Sequence, residues 1–79
     1  MSTPAPGAED VEFDNKGYVY SGLSDGSIIR FKGNGSDVEV VAKSEGAIFG
    51  IDINSKFDKL VLADQKTGIK VLDLNTRKF

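Results

Sequence analysis

A pattern of strand, turn and hairpin occurs twice in this chain at a spacing of about forty residues, a period that points to propeller-type repeats. The first copy runs from Val11-Glu12-Phe13-Asp14-Asn15-Lys16-Gly17 through Tyr18-Val19-Tyr20 to Asp25-Gly26 and the run Ser27 to Phe31. The second runs from Ile51-Asp52-Ile53-Asn54-Ser55-Lys56 through Leu60-Val61-Leu62 to Thr67-Gly68 and the run Ile69 to Leu74. One or two small loop insertions reconcile the copies. Each repeat of this kind buries its apolar face only against a neighbour, and two repeats cannot close a ring. The sequence therefore predicts partnership between chains before it predicts any chemistry.

From Asp10 onward, short apolar runs are separated by Gly, Asn and Asp, and no stretch of helical period is long enough to bury a helix face. Strands are expected at 10–14, 18–23, 27–32, 38–42, 48–53, 60–64 and 69–74. Asp14-Asn15-Lys16-Gly17 supplies a turn with a glycine available for positive φ, and Asp25-Gly26 is a hairpin signal. Ile29 and Phe31 alternate with Arg30 and Lys32, whereas Leu60 and Leu62 flank an equally apolar Val61. Strands with something apolar on both faces suit sheets stacked on sheets. The expected fold class is all-β: antiparallel four-stranded propeller blades, about two per chain, in a ring closed by oligomerisation. The expected division is a flexible leader at 1–8, a first blade at 9–46 and a second, incomplete blade at 47–79, its fourth strand missing because the chain ends at Phe79. An unfinished sheet leaves an edge, here with Ile69, Val71 and Leu72 nearby, that invites pairing.

Charge and composition narrow the partners. With 12 acidic and 10 basic residues the net charge is -2, so no basic stripe awaits a nucleic-acid backbone and no nucleic-acid partner is expected. No apolar run approaches a membrane span and no targeting segment opens the sequence, so a soluble chain with no membrane partner is expected, its compartment unassigned. At 79 residues without cysteine, a single core is barely sufficient, and neighbours must help. The absence of histidine and cysteine removes the usual zinc sites and imidazole catalysis. The serines have no histidine to activate them and no Gly-x-Ser-x-Gly elbow. Lys66 and Lys70 could activate a nucleophile only if buried, and their polar context reads as surface charge. Gly33-Asn34-Gly35-Ser36 lacks the ending and helix of a phosphate loop. Phe13, Tyr18, Tyr20, Phe31 and Phe49 fall on expected strands, where packing is expected, while Phe57 and Phe79 are candidates for contacts with another chain.

The residues resemble the strictosidine synthase-like group of six-bladed propellers, related to gluconolactonase-type proteins. Gly7-Ala8-Glu9-Asp10-Val11-Glu12-Phe13-Asp14 resembles the blade opening Gly-Pro-Glu followed by alternating residues and Asp. Tyr18-Val19-Tyr20-Ser21-Gly22-Leu23-Ser24-Asp25-Gly26-Ser27-Ile28-Ile29-Arg30-Phe31 resembles the Tyr-x-Gly-x-x-Asp-Gly-x-Ile hairpin. Gly46-Ala47-Ile48-Phe49-Gly50-Ile51 and Leu62-Ala63-Asp64 resemble elements of the following blade. Ala8 stands where proline is usual, and Ala47-Ile48 where Arg-Pro is usual.

The resemblance implies a central channel, with Glu9 at the entrance to an innermost strand as a divalent-cation ligand, calcium being the usual ion. Calcium needs roughly six to eight oxygens, more than one chain gathers, but a homotrimer would bring three copies of Glu9 to one axis. Such a ring would be a metal site or a repelling cluster, and a plain solvated acid is the other reading of Glu9. Asp64 likewise reads two ways, as a metal-binding acid at the channel mouth or as a turn cap. Oxygen-bearing side chains at Glu12 and Asp14, and at Asp52 and Asn54, share a sheet face as a loose comb or as a solvated polar edge. The expected function is a self-assembling ring segment, with cation or small-molecule binding in the channel. The alternative implied by the resemblance is a calcium-dependent lactone or ester hydrolase or a strictosidine synthase-like enzyme; no position here matches the glutamate that condensation would use.

Overall fold

A computed structural model describes residues 11–79, which form strands throughout. These are β1 (Val11–Phe13), β2 (Tyr18–Gly22), β3 (Ser27–Lys32), β4 (Glu39–Lys43), β5 (Ile48–Ile53), β6 (Lys59–Asp64) and β7 (Gly68–Asp73). They lie where the turn signals and alternation predict, within a residue or so. The leader expected at 1–8, together with Glu9 and Asp10, lies outside the described residues. Sequence neighbours pair antiparallel into a four-stranded sheet, β1-β2-β3-β4, and a three-stranded sheet, β5-β6-β7. Among the described residues no helix is long and apolar enough to cross a membrane.

The hairpin opening each sheet is set by a side chain that stands in for backbone. Asp14 Oδ1 accepts from the N–H groups of Lys16 at 2.8 Å and Tyr18 at 3.0 Å. Asn54 Oδ1 does the same for Asp58 at 3.0 Å and Lys59 at 2.9 Å. Local bonds of this kind favour turns over extended chain. They also absorb one member of each oxygen pair that the sequence left open as a calcium comb. The second turn is one residue longer: Phe13 faces Val19 across the first hairpin, whereas Ile53 faces Leu60 across the second. Val19 therefore corresponds to Leu60, a shift of one residue from the match of Tyr18-Val19-Tyr20 to Leu60-Val61-Leu62 read in the sequence. Where the first turn has Gly17 at φ 90°, the second has Phe57 at φ 59°.

Because side chains alternate across a sheet, this register fixes which face each residue serves. Tyr20, Ile28 and Val41 of the first sheet pack with Ile48, Ile51, Leu60, Leu62 and Leu72 of the second. Leu60, Leu62 and Leu72 are completely buried, each burial stabilising the fold by about 1.5–3 kcal/mol relative to exposure. Val41 reaches this core because it is the extra residue of a bulge, lying between Val40, which pairs with Ile29, and Ala42, which pairs with Ile28. The sheets approach closely at Gly22, where a methyl group would collide with Cβ and Cγ2 of Ile48. The opposite face of the first sheet holds a separate buried cluster of Val19, Ile29 and Phe31, with Val11 and Leu23 packed against it.

Not every apolar strand residue is covered. Tyr20 and Phe31 are buried as expected, but Phe13 and Phe49 are exposed, Phe49 because the β5–β6 register breaks between Ile48 and Gly50. The expectation for the last strand divides by face: Leu72 lies in the core, while Ile69 and Val71 point outward and are exposed. A polar tie supplements the core. Glu39 accepts from Arg30 Nε at 2.6 Å and, across the sheets, from Arg77 at 3.2 and 3.3 Å. The Arg77 and then the Arg30 contacts hold the Glu39 carboxyl below its ordinary range, and the Arg30 guanidinium also stacks 4.2 Å from the centre of the Tyr18 ring.

Candidate functional site

The densest polar cluster gathers where three connections meet: the β2–β3 turn, the β4–β5 crossover and the β6–β7 turn. Backbone bonds hold the crossover between the two turns. Ser44 N donates to Gly26 O at 2.8 Å, Ile48 N to Leu23 O at 3.1 Å, and Gln65 N to Ala47 O at 2.8 Å. Gly26, at φ 92°, must stay free of a side chain because a Cβ there would strike the Ser44 carbonyl.

Asp64, at the end of β6 and buried, clamps this junction. One carboxylate oxygen accepts from the N–H groups of Lys66 at 2.7 Å and Thr67 at 2.9 Å. The other accepts from Gly46 N at 3.1 Å and from the Ser44 hydroxyl. Hydrogen bonding, first from Ser44 and then from the backbone amides, outweighs the opposing effect of desolvation and holds Asp64 well below the usual carboxylate range. The turn-cap reading of Asp64 thus describes its contacts. A cation at Asp64 would have to displace a donor, since four hydrogen bonds fill the roughly four lone-pair directions of a carboxylate.

Ser44 carries a second contact, because Lys70 Nζ donates to its Oγ at 3.0 Å. The same ammonium lies 4.7 Å from the centre of the Phe79 ring. Lys70 is therefore not simple surface charge: β7 brings it to a serine 26 positions earlier in the chain, a pairing with no local signature. The trio Lys70, Ser44 and Asp64 resembles an activated nucleophile in composition only. The hydroxyl donates a hydrogen bond to a carboxylate that is too weak a base to take its proton, and the lysine in turn donates to the hydroxyl. These groups bind the loops together.

Of the two metal ligands expected from the sequence, Glu9 lies outside the described residues, and Asp64 is engaged as above. Among the described residues no group of three or more acidic side chains is placed to hold a metal ion. Tyr20, which corresponds to no expected site, has its phenol pushed up first by burial; its hydroxyl donates to Asp14 Oδ2 at 3.2 Å.

Residues 4–31 match a family profile described as strictosidine synthase-like, N-terminal. This segment is similar to the N-terminal part of strictosidine synthase-like proteins. The match takes in β1, β2 and most of β3, the stretch whose blade opening and hairpin carry the resemblance in the sequence. No curated protein matches the chain. The Asp64 junction lies outside the matched segment and ties the β4–β5 crossover to the β6–β7 turn.

Proposed function

We propose that this chain is a self-assembling β-propeller segment, each copy supplying two blades and three copies closing a six-bladed ring. The central channel of that ring would take a cation or a small molecule. The observation that supports the reading is the apolar character of the stack's outer surface: Ile69 is 72% exposed, Phe49 59% and Val71 47% on the second sheet. A sheet face left in water is normally polar, and the strictosidine synthase-like match makes further stacked sheets the natural cover. The test is solution mass by light scattering with and without calcium. The expected mass is three times the 8.5 kDa of one chain; a monodisperse single chain at all concentrations would overturn the reading.

The family match also supports a second reading, a calcium-dependent lactone or ester hydrolase or a strictosidine synthase-like enzyme. A bound cation would polarise the carbonyl and activate water. Its test is lactone hydrolysis that requires calcium and is lost in Glu9→Gln. Turnover unaffected by either change would count against it.

A further inference from the structure

Among Asn15, Asn34, Asn54 and Asn75, Asn34 alone is followed by glycine. In that dipeptide the backbone nitrogen meets least hindrance on its way to the preceding carboxamide carbon, because glycine has no Cβ. The reaction needs only water and base. Gly35 N gives up its proton and bonds Asn34 Cγ, the Cγ–Nδ2 bond breaks, and Nδ2 takes a proton and leaves as ammonia. Water then opens the resulting succinimide at either carbonyl, giving aspartate or isoaspartate at position 34.

The fold puts these atoms at the exposed β3–β4 turn. Gly35 N donates to Lys32 O at 2.7 Å and Lys32 N to Ser36 O at 2.8 Å, with Gly35 at φ 87°. Asn34 Oδ1 accepts from Ser36 N at 3.0 Å and from the Ser36 hydroxyl at 2.7 Å. Two effects oppose one another. The donors on Oδ1 draw electrons from Cγ and favour attack. The bond at Gly35 N holds the proton that base must remove, and a turn closed by that bond keeps ψ of Asn34, its third residue, near about 0°. Ring closure swings the Asn34–Gly35 peptide away from that angle and breaks the bond to Lys32. A polarised carbon gains nothing while its nucleophile faces elsewhere, so the second effect wins.

We propose that Asn34 is a self-modifying site latched by its own turn: the succinimide forms when the β3–β4 turn opens, and the closed turn holds it back. An exposed hairpin tip opens far more often than a core strand, so the folded chain is modified slowly and at this position first. Aspartate adds a negative charge beside Asp37, which pairs with Lys32 at 3.4 Å. Isoaspartate lengthens the backbone by one carbon inside a turn that sets the pairing of Arg30 with Glu39, and Glu39 also holds Arg77. The inference does not depend on assembly.

The test follows the tryptic fragment 33–43, released by cleavage after Lys32 and Lys43, and separates its asparagine, aspartate and isoaspartate forms by chromatography. Incubation at mildly alkaline pH compares the folded chain with the chain unfolded in urea. Asn34 is expected to convert ahead of the other asparagines in both, and at least about tenfold more slowly when folded. Asp37 holds φ 58°, which a β-branched residue disfavours and glycine accepts. Asp37→Val is therefore expected to raise the folded-state rate several-fold without changing the unfolded rate, while Asp37→Gly keeps the latch, circular dichroism confirming the fold of each. Hydrogen exchange at Gly35 N–H in the unmodified chain is expected to report the same opening. Equal rates in the two states, or a faster folded rate, would overturn the latch, as would an Asp37→Val chain that stays folded and reacts no faster. An unfolded chain that leaves Asn34 intact would overturn the site itself.

Discussion

The first and second sheets are built from one repeat, yet they meet water differently. Ile28 and Ile69 occupy the same place in the two hairpins; Ile28 is completely buried and Ile69 is 72% exposed. The difference follows position in the stack, because Ile28 packs against the second sheet and no described residue covers Ile69. Burial in this architecture is a property of neighbours, as expected for repeats whose stability lies largely in the contacts between units. Single sheets of this size have little of their own to stand on.

That comparison is broken most forcefully in the shared core. Leu62→Ala removes a completely buried side chain contributed by the second sheet and facing the first, and is expected to cost about 2–5 kcal/mol. If the two sheets depend on one another, thermal melting followed separately by tyrosine signal, which arises only from the first sheet, and by backbone circular dichroism should shift together. A first sheet that keeps its melting temperature would show that the repeats fold independently.

The junction that joins them should be sensitive to acid. Because the Asp64 carboxyl is held well below its ordinary value in the folded chain, its contribution is complete above the unfolded carboxylate range near pH 4 and is lost as pH falls below it. Asp25, Glu39 and Asp58 are shifted in the same direction, so stability should fall steeply on acidification. Asp64→Asn should be less stable at neutral pH and show a shallower loss between pH 4 and pH 2. An unchanged acid slope would mean that the clamp does not couple the loops.

Smaller effects sharpen the contrast between equivalent positions. Gly22→Ala forces a methyl group into Ile48 and is expected to cost about 1–3 kcal/mol, a cost that Ile48→Ala in the same chain should partly offset in a double-mutant cycle. At the hairpin turns, Phe57 holds a left-handed conformation where the first repeat uses Gly17. Phe57→Gly should therefore stabilise by up to about 1 kcal/mol, while Gly17→Ala should destabilise by a similar amount, both readable from urea midpoints.

The strands were legible in the sequence because their signals are local: Asp25-Gly26, Asp14 two residues before Lys16, and the alternation of Ile29 and Phe31 with Arg30 and Lys32. The one-residue offset between the repeats was not, since the longer turn at 54–59 leaves no mark until Leu60 pairs with Ile53. Asp64 could be read as a turn cap from its place before a hairpin. Its grip on Ser44 and Gly46, and the approach of Lys70 to Ser44, depend on contacts 18 to 26 positions apart that no local pattern encodes. Exposure of Phe49 and Val71 was hidden for a related reason, because alternation shows which residues share a face but not whether anything covers it.

Solvent access at Ile28 and Ile69 tests the account most directly, through methyl NMR with a soluble paramagnetic agent over a dilution series. Ile28 is predicted to be shielded at every concentration, and Ile69 to be shielded in the concentrated sample and exposed on dilution. Methyl signals of Ile69 that remain open to the agent at concentrations where the chain has assembled, or an Ile28 that opens on dilution along with Ile69, would contradict it.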